Sequence, residues 1–236
     1  MKNPIKKSLI IIVSATIAAL IGIGGCIFMQ PQKNNTPQKV TEPEKQVKVG
    51  KGDQKILIAY FSVPETDNPN KMTKEEENSA IVVDGKVLGN TQYVAMLINE
   101  KIGGDIYRIE PKTPYTTNHK ALVAQATEEQ KSNARPEIAN KISNFGDYDV
   151  IYIGYPIWWG DMPQILYTFL EMYDFSGKTV ILFSTHGGSR LAGTVNTVKN
   201  KLGGATVIKN AFSLSRDNME QAPKRVDAWL KEIGAD

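Results

Sequence analysis

Three short stretches carry residue types that could grip a flat, phosphate-bearing ligand. Ser62, Gly89, Asn90 and Thr91 offer hydroxyls, an amide and a glycine at the start of a predicted helix, with no Lys or Arg among them. Free N–H groups at a helix N-terminus, together with the helix dipole, can hold a phosphate dianion without a formal positive charge. The same residues also suit an ordinary cap made by Asn90 or Thr91. In Tyr155-Pro156-Ile157-Trp158-Trp159-Gly160 a Tyr and two adjacent Trp stand just past a strand end. Aromatic side chains make flat apolar walls for a flat ring, and one Trp of the pair is expected to fill core instead. Ser184-Thr185-His186-Gly187-Gly188-Ser189 is glycine-rich, which lets backbone approach a ring edge or simply makes a pliant turn. His186 is the candidate for a hydrogen bond to such a ring, with a satisfied loop histidine as the alternative. His119, following Pro114 at the start of a helix, reads as surface.

The elements that must position these stretches alternate strand and helix. Strands are expected at Lys55–Phe61, Asp105–Glu110, Asp149–Gly154, Lys178–Ser184 and Thr206–Phe212, most of them short apolar runs. Helices are expected at Tyr93–Ile102, Ala121–Gln130, Ile165–Met172, Leu191–Leu202 and Asp217–Ile233. Apolar strands between helices mean a parallel sheet covered on both faces. The expectation is one doubly wound α/β domain over residues 55–236, without internal repeats. In such a sheet ligands bind beyond the carboxyl ends of the strands, which is where the three stretches fall. Residues 63–88 form an insertion between the first strand and the first helix, far longer than an ordinary connection. Within it Asp84-Gly85 between apolar runs suggests a small hairpin. The insertion reads equally as a binding loop or a neutral surface excursion.

Composition removes several functions. The chain has 28 Lys and Arg against 25 Asp and Glu, a net charge of +3. Lys2, Lys6 and Lys7 account for that excess, and residues 55–236 carry 20 basic against 22 acidic groups. A backbone-neutralising nucleic-acid binder needs a basic face, so nucleic acid is not an expected partner. A single Cys excludes an intrachain disulfide scaffold and a cysteine-ligated metal centre. No Gly-x-Ser-x-Gly elbow supports a hydrolase, and no Gly-Lys-Ser/Thr loop supports a P-loop NTPase.

Taken together, the three stretches resemble the flavodoxin family. Lys-Ile-Leu-Ile-Ala-Tyr-Phe-Ser followed by Gly-Asn-Thr resembles its phosphate loop, split here by the insertion. Tyr-Pro-Ile-Trp-Trp-Gly-Asp-Met-Pro and Ser-Thr-His-Gly-Gly-Ser resemble its two flavin-flanking loops. The resemblance runs from Lys55 to the C-terminus. It implies a five-stranded parallel sheet of order 2-1-3-4-5 and FMN as cofactor. By that likeness Ser62, Gly89, Asn90 and Thr91 would hold the phosphate. Tyr155, Pro156, Ile157, Trp158, Trp159 and Gly160 would flank the isoalloxazine, and Thr185, His186, Gly187 and Gly188 would line its pyrimidine side. The insertion replaces a hydroxyl residue of the family's loop, so part of the phosphate contact has no assigned residue. A flavin supplies the redox chemistry itself, and no side chain is required as acid or base. Three readings follow: an FMN electron carrier with an unnamed redox partner, an FMN-dependent NAD(P)H:quinone-type reductase, and a flavin-free binding domain.

The N-terminus reads as an export signal. Lys2, Lys6 and Lys7 precede an uncharged run from Ser8 to Met29. Ile23-Gly24-Gly25-Cys26 resembles the lipobox of bacterial lipoproteins, which implies residues 1–25 as signal peptide and Cys26 as the lipid-bearing residue. An uncleaved anchor is the alternative, since 22 uncharged residues can span a bilayer. Either places the domain on the outer face of the cytoplasmic membrane. Residues 26–54 are expected to be a disordered tether, rich in Pro, Lys, Gln and Asn.

Overall fold

Five parallel segments of the sheet lie in the order that a doubly wound protein requires. The computed structural model describes Val49 and residues 52–236. The expected signal segment, Cys26 and most of the expected tether lie outside the described residues. Val49 departs from the tether expectation: it is 1% exposed and packs in the core with Ile56, Ile98 and Trp229.

The central sheet contains β1 (Ile56–Tyr60), β4 (Asp105–Arg108), β5 (Val150–Pro156), β6 (Thr179–His186), β7 (Thr206–Val207) and β8 (Phe212–Ser215). Its order is β4-β1-β5-β6-β7, with β8 continuing beside β6, and every pairing in it is parallel. Strands β1, β5 and β6 are buried over nearly their whole length, as apolar strands covered on both faces must be. Gly154 on β5 faces Phe183 on β6, and a Cβ there would stand 2.1 Å from the Phe183 ring. The glycine is required by that close approach.

The helices are α1 (Asn90–Ile102), α2 (His119–Lys131), α3 (Gln164–Met172), α4 (Thr194–Lys201) and α5 (Ala222–Glu232). α1 and α5 pack one side of the sheet around Ile58, Val94, Ile98, Val226 and Leu230. α2, α3 and α4 pack the other around Leu57, Leu122, Leu166, Phe169 and Val198. Residues 63–88 hold the expected hairpin, β2 (Ala80–Val83) with β3 (Lys86–Gly89). Its turn residues Asp84 and Gly85 have φ of 49° and 73°, the two left-handed positions of a type I′ turn.

The expected fifth strand is two strands. Val180 pairs with Val207 and Phe183 with Phe212, so the chain takes two residues more than its neighbour between those points. The excess bulges outward and turns the Asn210 carbonyl to the indole N–H of Trp229 (3.0 Å). The expected helix at Leu191 starts at Thr194, because Arg190, Ala192 and Gly193 all have left-handed φ. The last helix is preceded by a 3-10 stretch, Arg216–Gln221, with non-helical φ/ψ at Asn218.

Candidate functional site

The first, second and third loops meet at the carboxyl edge of the sheet and line one cleft. Ser62, Asn90, Thr91, Pro156, Ile157, Trp158, Trp159, Thr185, His186 and Gly187 border it, all among the residues expected from sequence. Gly89, Tyr155, Gly160 and Gly188 do not line the cleft.

The first loop is a cradle at the N-terminus of α1. Helix starts leave four N–H groups without an intrahelical partner. Gly89 N–H donates to Gln92 Oε1 (3.2 Å), and Asn90 N–H donates to the Ser79 carbonyl (2.9 Å). The Thr91 and Gln92 N–H groups make no such bond, and Thr91 lines the cleft. Neither Asn90 nor Thr91 caps the helix by side chain; Gly89 holds the cap position. A Cβ on Gly89 would stand 2.1 Å from Ser62 Oγ, so this glycine gives the serine hydroxyl its place. Asn90 is 3% exposed; its Nδ2 donates to the Asn78 carbonyl (3.1 Å), while its Oδ1 is buried without a partner. A buried acceptor left unpaired costs about 1–3 kcal/mol, and a ligand hydroxyl would remove that cost.

The second loop turns between Trp158 and Asp161, which exchange two backbone hydrogen bonds (2.9 and 3.0 Å). Trp159 and Gly160 occupy its centre with φ of 51° and 74°. Left-handed backbone at a Trp costs on the order of 1–3 kcal/mol, and strain of this kind gathers at functional sites. Trp159 is also 60% exposed. Trp158 instead makes edge contacts with Phe61 and Tyr115 at 5.5 and 5.6 Å, so one indole is packed and the other stands free. Asp161 anchors the turn by accepting from Met162 N–H and Tyr167 Oη, both at 2.8 Å.

The third loop is tied to the other two. Thr185 and Thr91 share a buried hydroxyl–hydroxyl bond of 2.8 Å, and Ile157 N–H donates to the Thr185 carbonyl (2.9 Å). Tyr155 is fully buried, and its hydroxyl bonds Thr194 Oγ1 at 2.7 Å, which holds the start of α4. Burial pushes the Tyr155 phenol up, so it stays neutral. His186 accepts from the Gly188 N–H at Nδ1 (2.9 Å), leaving Nε2 as the proton-bearing atom of the neutral ring. Burial and the Arg190 charge lower the His186 pKa, partly offset by Asp217, so the neutral ring prevails at pH 7.

Several cleft residues have no mark in the sequence. Arg216 arrives from beyond β8, and a Cβ on Gly187 would stand 2.8 Å from its Cζ, so Gly187 is bare to admit the guanidinium. Glu65, Asn78 and Ser79 come from the insertion, which therefore forms cleft wall. His119 is not plain surface: it lines the cleft, and its Nδ1 lies 2.8 Å from Oε2 of the buried Glu65. Leu122, Val123 and Ala126 of α2 form an apolar wall. Spacing alone could not join Glu65 to His119, because the fold makes that contact across 54 positions. Among the described residues no group of three His, Cys, Asp or Glu could hold a metal ion.

A parallel sheet with a cleft at its switch point defines a doubly wound ligand-binding protein. The sequence profile of the flavodoxins matches residues 79–233, and the chain belongs to the flavodoxin family. Among solved structures, a protein assigned as a flavoprotein from Bacteroides eggerthii is 30% identical, with a TM-score of 0.56. That match covers 78% of this chain and 100% of the other. A second such protein, from Bacteroides uniformis, is 28% identical over 74% of this chain and 98% of its own, with a TM-score of 0.55. A flavoprotein in complex with FMN, from Lactobacillus acidophilus, shares the fold at 21% identity and a TM-score of 0.51, covering 75% of this chain and 98% of that one. No curated protein matches the chain.

Proposed function

We propose that this chain binds FMN and carries electrons through it, held at the outer face of the membrane by lipid on Cys26. The observation that carries the flavin reading is the cradle at α1. Ser62, Asn90 and Thr91 line the same cleft as the Trp158–Trp159 turn and the Thr185–Gly187 loop, and Asn90 Oδ1 is buried there without a partner. A phosphate dianion suits the N–H and hydroxyl donors, and a ribityl hydroxyl suits the Asn90 oxygen. Family membership and the FMN complex of the Lactobacillus acidophilus relative support the same cofactor.

Bound FMN would supply the redox chemistry, and the protein's work is to hold and orient it. Trp158 and Trp159 border the cleft from one loop, and neutral His186 offers a donor at Nε2 from the other. The exposed Trp159 at the mouth leaves one side of the cleft open to a partner, which favours a carrier over a closed enzyme.

The uncharged run ending at Cys26, behind Lys2, Lys6 and Lys7, supports the tether. Among the described residues no helix is long and apolar enough to cross a membrane, so attachment would rest on the N-terminal segment. The protein isolated from membranes should release FMN on acid treatment and show no steady NAD(P)H oxidation with quinone. Sustained turnover would make it a reductase. C26S should prevent incorporation of a labelled fatty acid, and persistent labelling would contradict the lipid site.

A further inference from the structure

The pair formed by Glu65 and His119 has no part in the flavin contacts described above. Its place along the cleft is fixed at both ends of α2. Glu65 N–H donates to Ser79 Oγ (3.1 Å), and the Ser79 carbonyl accepts from Asn90 N–H at the first residue of α1 (2.9 Å). His119, joined to Glu65, is the first residue of α2. The other end of α2 reaches the second loop, where Gln130 Nε2 donates to the Trp159 carbonyl (3.4 Å). A helix rises about 1.5 Å per residue, so roughly 16 Å separates His119 from Gln130. The pair therefore stands at the α1 end of the cleft, away from Trp159.

The insertion is folded to put a charge there. Glu65 is 7% exposed, and a carboxylate so buried needs a hydrogen-bonded partner. His119 Nδ1 provides it at 2.8 Å, which leaves Nε2 as the one remaining hydrogen-bonding atom of the ring. The N-termini of α1 and α2 both bring the positive ends of their dipoles to this place. Among the described residues the cleft's only Lys or Arg is Arg216, whose guanidinium lies against Gly187 in the third loop. A dianionic group bound at α1 thus has dipoles and hydroxyls beside it, and the His119 ring as a further hydrogen-bonding group.

We infer that His119, oriented by Glu65, donates from Nε2 to the phosphate monoester of the bound ligand. The insertion then supplies, through Glu65, the phosphate contact that the split loop lost between Ser62 and Gly89. Glu65 is a positioning residue and His119 the binding one. A carboxylate faces Nδ1 and a phosphate oxygen would face Nε2, and hydrogen bonds to such anions are charge-assisted. The inference rests on the flavin reading, and comparing FMN with riboflavin, which lacks the phosphate, separates the two.

The test measures dissociation constants of both flavins for the full chain, H119Q and E65Q. A hydrogen bond to a charged group is worth about 1.5–3 kcal/mol, so H119Q should weaken FMN roughly ten- to hundredfold and leave riboflavin unchanged. E65Q should move FMN in the same direction, again without affecting riboflavin. H119N serves the same comparison should H119Q fail to fold. Equal losses for both flavins, or no loss for FMN, would overturn the phosphate role while the flavin reading stood. If the wild-type chain bound neither flavin, the flavin reading itself would fall, and this inference with it.

Discussion

Trp159 combines a left-handed backbone with a side chain left mostly in solvent, and neither feature serves the core. Its neighbour Trp158 is wedged between Phe61 and Tyr115. The two indoles should therefore separate in experiment. Asn tolerates left-handed backbone far better than Trp, so W159N should leave the melting temperature of the flavin-free protein unchanged or raised. It should weaken FMN binding by tenfold or more, as calorimetry can measure. W158A should lower both stability and affinity. W229A is the control: Trp229 is buried against Tyr152 and Phe212, away from the cleft, and its loss should cost about 3–5 kcal/mol with flavin affinity little changed once folded. Equal effects of W159N and W229A on FMN affinity would remove Trp159 from the ring site. The sequence showed the double Trp and its position after a strand. Which indole packs was not legible, because it depends on Tyr115 arriving from a distant loop.

At the scale of elements, α3 and α4 are clasped by one carboxylate. Glu171 of α3 takes Arg135 in two hydrogen bonds (2.8 and 3.1 Å) and Lys201 of α4 at 2.6 Å, and both cations sit over the Tyr167 ring. Hydrogen bonds to these two cations hold the Glu171 carboxyl down at about 2. A folded-state pKa below the unfolded one stabilises at every pH above the ordinary carboxylate range and loses that stabilisation as pH falls toward about 2. Glu171 is partly exposed, so water and salt reduce the effect. E171Q should melt below wild type at pH 7, and the gap should close as pH drops from 4.5 toward 2. A gap that persists unchanged to acid pH would mean that packing, not charge, ties these helices. Strand and helix order could be read from apolar runs such as Val150–Ile153, because burial on both faces writes itself directly into composition. The break between Val207 and Phe212 could not, since it depends on Trp229 claiming the Asn210 carbonyl from another helix. The insertion's hairpin was visible in Asp84-Gly85, whereas its use was not: Glu65 acquires meaning only beside His119.

For the whole molecule, the distribution of charge bears on how an anionic ligand can be held. Residues 55–236 carry a small acidic excess, and the chain's net +3 equals the contribution of the three N-terminal lysines. A nearly neutral domain gains little long-range attraction for an anionic cofactor, so local geometry must do the holding. That geometry is a pair of helix N-termini, a serine placed by Gly89, an unpaired Asn90 oxygen and a cleft walled by two indoles. We propose that these parts bind one FMN. Adding the purified, flavin-free protein to FMN while following flavin fluorescence tests it most directly. Saturable quenching at one flavin per chain is the expected result; fluorescence unchanged at excess protein would contradict FMN binding.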